Sequence, residues 1–288
     1  MAVLQALVNG ILVGGVYALI TVGLTLIFGV LEIVNFAQGE FLMVGMYVAY
    51  FSYVALHLDP MLSAVLAFGI LFGIGAVLER WLVRRVLRGP EISQIFLTVG
   101  ISIALQNAAL AFFGADFHSV HVPYQTASIF LGPIPISVPY LLAFAWGAAI
   151  NLVLYFFLVR TDFGRAMRAV AVNTVAATLS GINVSRVRMV AFAIGAGLAG
   201  LAGAVILPYA YVYPTIGLQY VVIMFTIAVL GGLGNVNGAV IGSLIVGITQ
   251  SLSALFLPSA LQNLVVFALF VAVLMIKPYG LFGRSHAH

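Results

Sequence analysis

Apolar residues run through this chain in long blocks, and the polar residues between them are few enough to place one by one. Blocks near 5–29, 36–56, 60–78, 93–113, 138–159, 188–207, 219–232, 238–256 and 261–276 each predict a helix. About 20 apolar residues at a rise of ~1.5 Å each cross a hydrocarbon core, and the ten-residue alternation of a membrane barrel strand is missing. The stretch 189–276 holds no Lys, Arg, Asp or Glu at all. Turn residues at PYAYVYPTIG (208–217), GGLGNVNG (231–238) and LPSALQN (257–263) divide it into four spans, the second of them short. The expected fold is all-α, a polytopic membrane bundle of eight or nine spans with polar, Gly-rich helix breaks.

Composition agrees, with 64% hydrophobic and only 6% charged residues, so the bilayer is the solvent for most of the chain. A single membrane domain over 1–288 is expected. The net charge of +4 does not point to nucleic acid, because all eleven basic residues fall within 80–88, 160–168, 186–188 and 277–284. Basic residues confined to short loops mark the cytoplasmic side, which places the C-terminus there and the segments around 57–60 and 114–137 outside. The side of the N-terminus depends on whether 30–40 makes a full turn or a re-entrant break. MAVLQALVNG lacks a basic n-region, so the first hydrophobic segment is expected to be retained. Small residues four apart (Gly10 and Gly14, Gly69 and Gly73, Gly195 with Ala199 and Gly203, Gly238 and Gly242) suit close helix packing in lipid.

Several chemistries are excluded. The chain has no cysteine, which removes disulfides, thiolate metal sites and Cys nucleophiles. Its one lysine, Lys277, precedes Pro278, so no phosphate loop with Lys and Ser or Thr exists. No serine-hydrolase or zinc-protease motif occurs either. Asp116, His118 and His121 resemble a metal set by spacing, but an external loop collects such residues for solvation, and no metal is expected.

Two polar interruptions remain. LEIVNFAQGE (31–40) gathers Glu32, Asn35, Gln38 and Glu40, and LGGLGNVNG (230–238) carries Gly231, Gly232, Gly234, Asn235 and Asn237. A carboxylate at mid-bilayer costs about 2.5–3.5 kcal/mol on insertion scales. Either Glu32 and Glu40 sit in a hydrated cytoplasmic turn, or the break enters the bundle and Asn35, Gln38 and Glu40 line a polar path. Broken hydrophobic segments in two halves point to a translocation site, with Gly234, Asn235 and Asn237 as the second set. In the segment 160–189, Thr161 or Asp162 can cap a short helix, Asn173 or Thr174 a second running to about Leu179, and Gly181 can stop it. The second, NTVAATLS, is small and nearly uncharged, which suits a groove of a soluble partner or an interfacial linker.

The stretches NGILVGGVYALITVGLTLIFGVLEIVNFAQGEF (9–41), FGRAMRAVAVNTVAATLSGINVSRVRMVAFAIGAGLAGLAG (163–203), AVLGGLGNVNGAVIGSLIVG (228–247) and KPYGLFGR (277–284) resemble, in order and spacing, the permease subunits of branched-chain amino acid ABC importers, specifically the LivH-like member. Gln38 stands where relatives often carry histidine. The resemblance implies a bacterial-type inner-membrane subunit without covalent chemistry or a cofactor of its own. It also implies a second homologous permease, two cytoplasmic subunits that bind ATP and Mg, and an external solute-binding protein. The segment at about 160–187 becomes the coupling region, with Arg165, Arg168, Asn173, Ala176, Ala177, Leu179 and Gly181 facing an ATPase. The family also includes permeases for urea, short amides and aromatic acids. On the residues alone, a self-contained secondary transporter or channel with Glu32 or Glu40 as its ion site is the alternative.

Overall fold

The computed structural model describes residues 2–87, 89–132 and 134–283. Arg88 and Arg284, two members of the basic clusters, lie outside the described residues. Helix α1 (Ala2–Leu31) is followed by α2 (Gln38–Leu56) and α3 (Pro60–Leu78), which continues through a π-helical turn, Glu79–Val83, into α4 (Arg84–Val86). After α5 (Glu91–Phe113) a small antiparallel hairpin of β1 (Ser128–Leu131) and β2 (Ile134–Ser137) leads into α6 (Val138–Arg160). Two short helices, α7 (Asp162–Val172) and α8 (Thr174–Leu179), precede α9 (Val184–Ile206) and a 3-10 turn, Leu207–Tyr209. The chain ends with α10 (Ile216–Gly231), α11 (Val236–Ser253) and α12 (Ser259–Ile276).

All nine apolar blocks are helical. Among the described residues seven helices are long and apolar enough to cross a membrane, and α10 and the 264–276 part of α12 are shorter apolar helices. The hairpin is an addition to the all-helical expectation: SIFLGPIPIS (128–137) is apolar but too short to span, and its strands pair Ile129 with Ile136 and Leu131 with Ile134. Polar caps start the helices where the sequence offers them. Asp59 accepts from the Met61 amide at the start of α3, and Thr161, Asn173, Asn183 and Asn235 do the same for α7, α8, α9 and α11.

Helices α1 and α9 form the centre, each buried along most of its length. Glycine lets their backbones approach their neighbours. Gly10 abuts Gly247 and Ile248, Gly14 abuts Ser243 and Leu244, and Gly29 abuts Gly234, a descending order that makes α1 and α11 antiparallel. Gly195 packs on Gly23 and Ile27 of α1, and Gly203 packs on Leu42 and Met46 of α2. Gly69 and Gly73, predicted to pack in the same way, instead face open space on α3.

The basic segments meet at one end of the bundle. Arg84 donates to the Ser185 carbonyl at 3.3 Å, Arg188 to Thr174 Oγ1 at 3.4 Å, and Arg168 to the Leu158 carbonyl. Helix α1 runs towards this end, so its N-terminus lies at the opposite one and 32–37 is a re-entrant break.

Candidate functional site

The break begins where Glu32 adopts a left-handed backbone (φ 58°), uncommon outside glycine, and ends α1. Glu32 itself is exposed at the basic end. From there the chain climbs back into the bundle without helical structure, which leaves its backbone polar groups in need of partners. Asn35 supplies some of them: its Oδ1 accepts from the Ala37 amide at 3.2 Å, and its Nδ2 donates to Gln38 Oε1 at 3.0 Å. Gln38 Nε2 in turn donates to the Gly195 carbonyl at 2.9 Å, and Thr98 Oγ1 to the Val34 carbonyl at 3.1 Å. Asn35 and Gln38 are fully buried.

The depth of the break follows from these contacts. Gly195 is near the middle of the 23-residue α9. Glu40, in the first turn of α2, reaches two residues near the middle of the equally long α5. Its Oε1 accepts from Gln106 Nε2 at 2.6 Å and from Ser102 Oγ at 3.3 Å. Helices of that length span roughly 34 Å at 1.5 Å per residue, so the cluster of Asn35, Gln38 and Glu40 sits near mid-height.

A second irregular segment comes down to meet it from the other end. Residues 210–215 follow the 3-10 turn and deliver the N-terminus of α10 against that of α2. A Cβ on Gly39 would run into the Gly217 carbonyl, and one on Gly217 would lie 2.6 Å from Glu40 Oε2. Beside this junction a cavity of about 340 Å³ is lined by Gln106, Asn107, Leu110, Ala115, Phe117 and the stretch 213–215. Asn107 and Gln219 are exposed on the flank of the bundle. An amide on an apolar helix face calls for water or a partner subunit rather than lipid.

The LGGLGNVNG turn does something different. Asn235 Oδ1 caps α11, and its Nδ2 donates to the Phe282 carbonyl at 3.0 Å. Leu281 donates to the Leu230 carbonyl at 2.8 Å. The turn therefore binds the C-terminal segment at the basic end, with Asn237 exposed. Gly234 touches Gly29, but Asn235 and Asn237 are not brought together with Asn35, Gln38 and Glu40. The junction instead involves Gly217, Ser102 and Gln106, which sequence reasoning passed over. Thr98, Ser102 and Gln106 carried a signal, since polar residues four apart in an apolar span share one helix face.

On the basic end Asn173 caps α8 with a 2.9 Å bond from the Ala176 amide, and Gly181 (φ 82°) follows its end. Ala177 turns into the bundle, while Ala176 and Leu179 face outwards, Leu179 at 84% and Val175 at 70% exposure. Arg165 pairs with Asp162 on α7.

The profile of the family described as "Branched-chain amino acid transport system / permease component" matches residues 6–274. The chain belongs to this family. By that description it is a permease component of a transport system, in keeping with its seven helices long and apolar enough to cross a membrane among the described residues. It is 33% identical to the high-affinity branched-chain amino acid transport system permease protein BraD of Pseudomonas aeruginosa, over 98% of this chain and 96% of the relative. It is 34% identical to the permease protein LivH of Escherichia coli K12 with the same two coverages, and 27% identical to a probable LivH of Methanocaldococcus jannaschii over 96% of this chain and 91% of that one.

Proposed function

We propose that this permease is one of two membrane-spanning subunits of an ATP-driven importer for branched-chain amino acids or a related small polar solute. Relatives described as high-affinity branched-chain amino acid permeases support the solute class. The observation that carries the transport reading is the buried polar break at mid-height, a feature whose cost only a solute path or a partner justifies. The basic end faces the cytoplasm by the positive-inside rule, with the C-terminus on that side and the N-terminus outside. A second, homologous permease covers the flank that exposes Asn107 and Gln219. An external binding protein delivers the solute, and two cytoplasmic subunits bind ATP and Mg and hydrolyse the nucleotide.

Coupling runs through one rigid element. Val175 and Leu179 offer the ATPase an apolar dock on α8. The Ile182 amide donates to the Ala177 carbonyl at 3.1 Å, and Asn183 caps α9 with a 3.0 Å bond from the Arg186 amide. Helix α9 then extends from the dock to Gly195, the partner of Gln38. Movement of α8 is thereby delivered to the break, and nucleotide shifts populations through its different affinity for the two arrangements of the ATPase pair.

Uptake of radiolabelled leucine into vesicles carrying the assembled complex is expected to require ATP and every partner. Uptake by this chain alone under an ion gradient would contradict the proposal and favour a secondary transporter with its ion site at Glu40. Ala176→Glu, a charge on the docking face, is expected to leave ATP hydrolysis running while uptake falls.

A further inference from the structure

Three carboxylates in the described structure have a local purpose. Asp59 caps α3 and accepts from Tyr124 at 2.9 Å, Glu79 pairs with Arg84 at 3.0 Å, and Asp162 pairs with Arg165. Glu40 differs from all of these. It is 1% exposed, it lies near mid-height, and no Lys, Arg or His among the described residues reaches it. Ser102 and Gln106 serve only its Oε1, and Oε2 is buried without a hydrogen-bond partner.

The helix N-termini at the junction do not supply the missing partner. The Ile216 amide donates to the Tyr213 carbonyl at 3.1 Å, the Leu218 amide to the Thr215 carbonyl at 3.2 Å, and the Glu40 amide to the Ala37 carbonyl at 3.1 Å. Oε2 points instead at the Cα side of Gly217, where any side chain would collide with it. One hydrogen-bond partner away, Gln106 lines the cavity that Asn107 and the 213–215 stretch complete. A buried carboxylate with a vacant acceptor, one residue away from a cavity, is chemically matched to a cationic donor that arrives and leaves.

We propose that Glu40 binds the ammonium group of the transported solute, once a small separation of α2 and α10 opens the space beside Oε2. The inference rests on the importer reading and deepens it: the solute is a compound with a free primary amine, its charge met by Glu40. The Gly217 contact keeps the space beside Oε2 free of side chains, and Gln106 joins the carboxylate to the cavity. Urea and neutral amides lack the charge to exploit it.

The test compares ATP-driven uptake of radiolabelled leucine by vesicles holding the complete complex with wild-type chain, Glu40→Gln or Gln106→Lys. The amide of Glu40→Gln still accepts from Ser102 and Gln106, so assembly on size-exclusion chromatography is expected to hold. Uptake is expected to fall at least about tenfold, the weight of one lost charge-assisted hydrogen bond. Gln106→Lys, which supplies its own ammonium to Glu40, is expected to cause a loss of the same order, and gives a separate reading should the first variant fail to assemble. Wild-type rates in either assembled variant would overturn the role of Glu40 while leaving the importer reading intact. No ATP-driven leucine uptake by the wild-type complex would overturn both.

Discussion

Gly39 and Gly217 set how closely α2 and α10 meet, and neither tolerates a side chain. Gly217→Val forces Glu40 and Gly39 apart and is expected to cost about 1–3 kcal/mol through overpacking, seen as a lower melting temperature of the purified protein. Gly69→Val, at a position with nothing within 4 Å, should melt close to wild type; an equal loss at both positions would contradict the packing argument. Outside the membrane, burial and then the adjacent Asp59 carboxylate raise the Tyr124 phenol above the ordinary tyrosine value. The folded state holds that proton more tightly than the unfolded chain does. Its contribution is complete below the ordinary value near ~10 and drains away as pH rises from there through the raised value. Tyr124→Phe is therefore expected to cost about 1 kcal/mol at neutral pH and to flatten the alkaline limb of a stability profile. At this scale the polar residues of 31–40 were legible because they interrupt an apolar sequence. Gly217 was not, since a glycine in a turn gives no sign of the distant helix it will touch.

Among the elements, the short helix α8 is the one whose cap, length and stop could all be read from the chain. Asn173 has an acceptor for an N-terminal amide, and Gly181 tolerates the left-handed turn that follows. Asn173→Ala is expected to remove about 1 kcal/mol from this helix and to weaken uptake by loosening the dock. Leu179→Asp is expected to release the ATP-binding subunits, measured as loss of co-purification. Retention of the subunits by Leu179→Asp would move the dock elsewhere. The re-entrant segment 210–215 was harder to foresee. PYAYVYPTIG reads as a turn, and nothing local says that the turn descends to the middle of the bundle. The π-helical turn at Glu79–Val83 likewise carries no periodic signature, and beside it Arg84 reaches both Glu79 and the Ser185 carbonyl.

For the whole molecule, the nine apolar blocks and the gathering of basic residues at one end were legible because both follow from the bilayer as solvent. The convergence of two broken segments from opposite ends was not, since it depends on which helices pack together. In the proposed reading it is this convergence that opens as the path through the permease. The absence of native cysteine allows the path to be probed with one introduced thiol. Gln106→Cys, in the assembled complex in vesicles, is expected to react with a small, membrane-impermeant methanethiosulfonate at a rate that changes when ATP binds and falls when leucine and its binding protein are present. Phe112→Cys, on the exposed flank of α5, serves as the comparison and is expected to respond to neither. A Gln106→Cys thiol that stays unreactive from both sides, in every nucleotide state, would contradict the central claim that the mid-height break opens to water as part of the transport route.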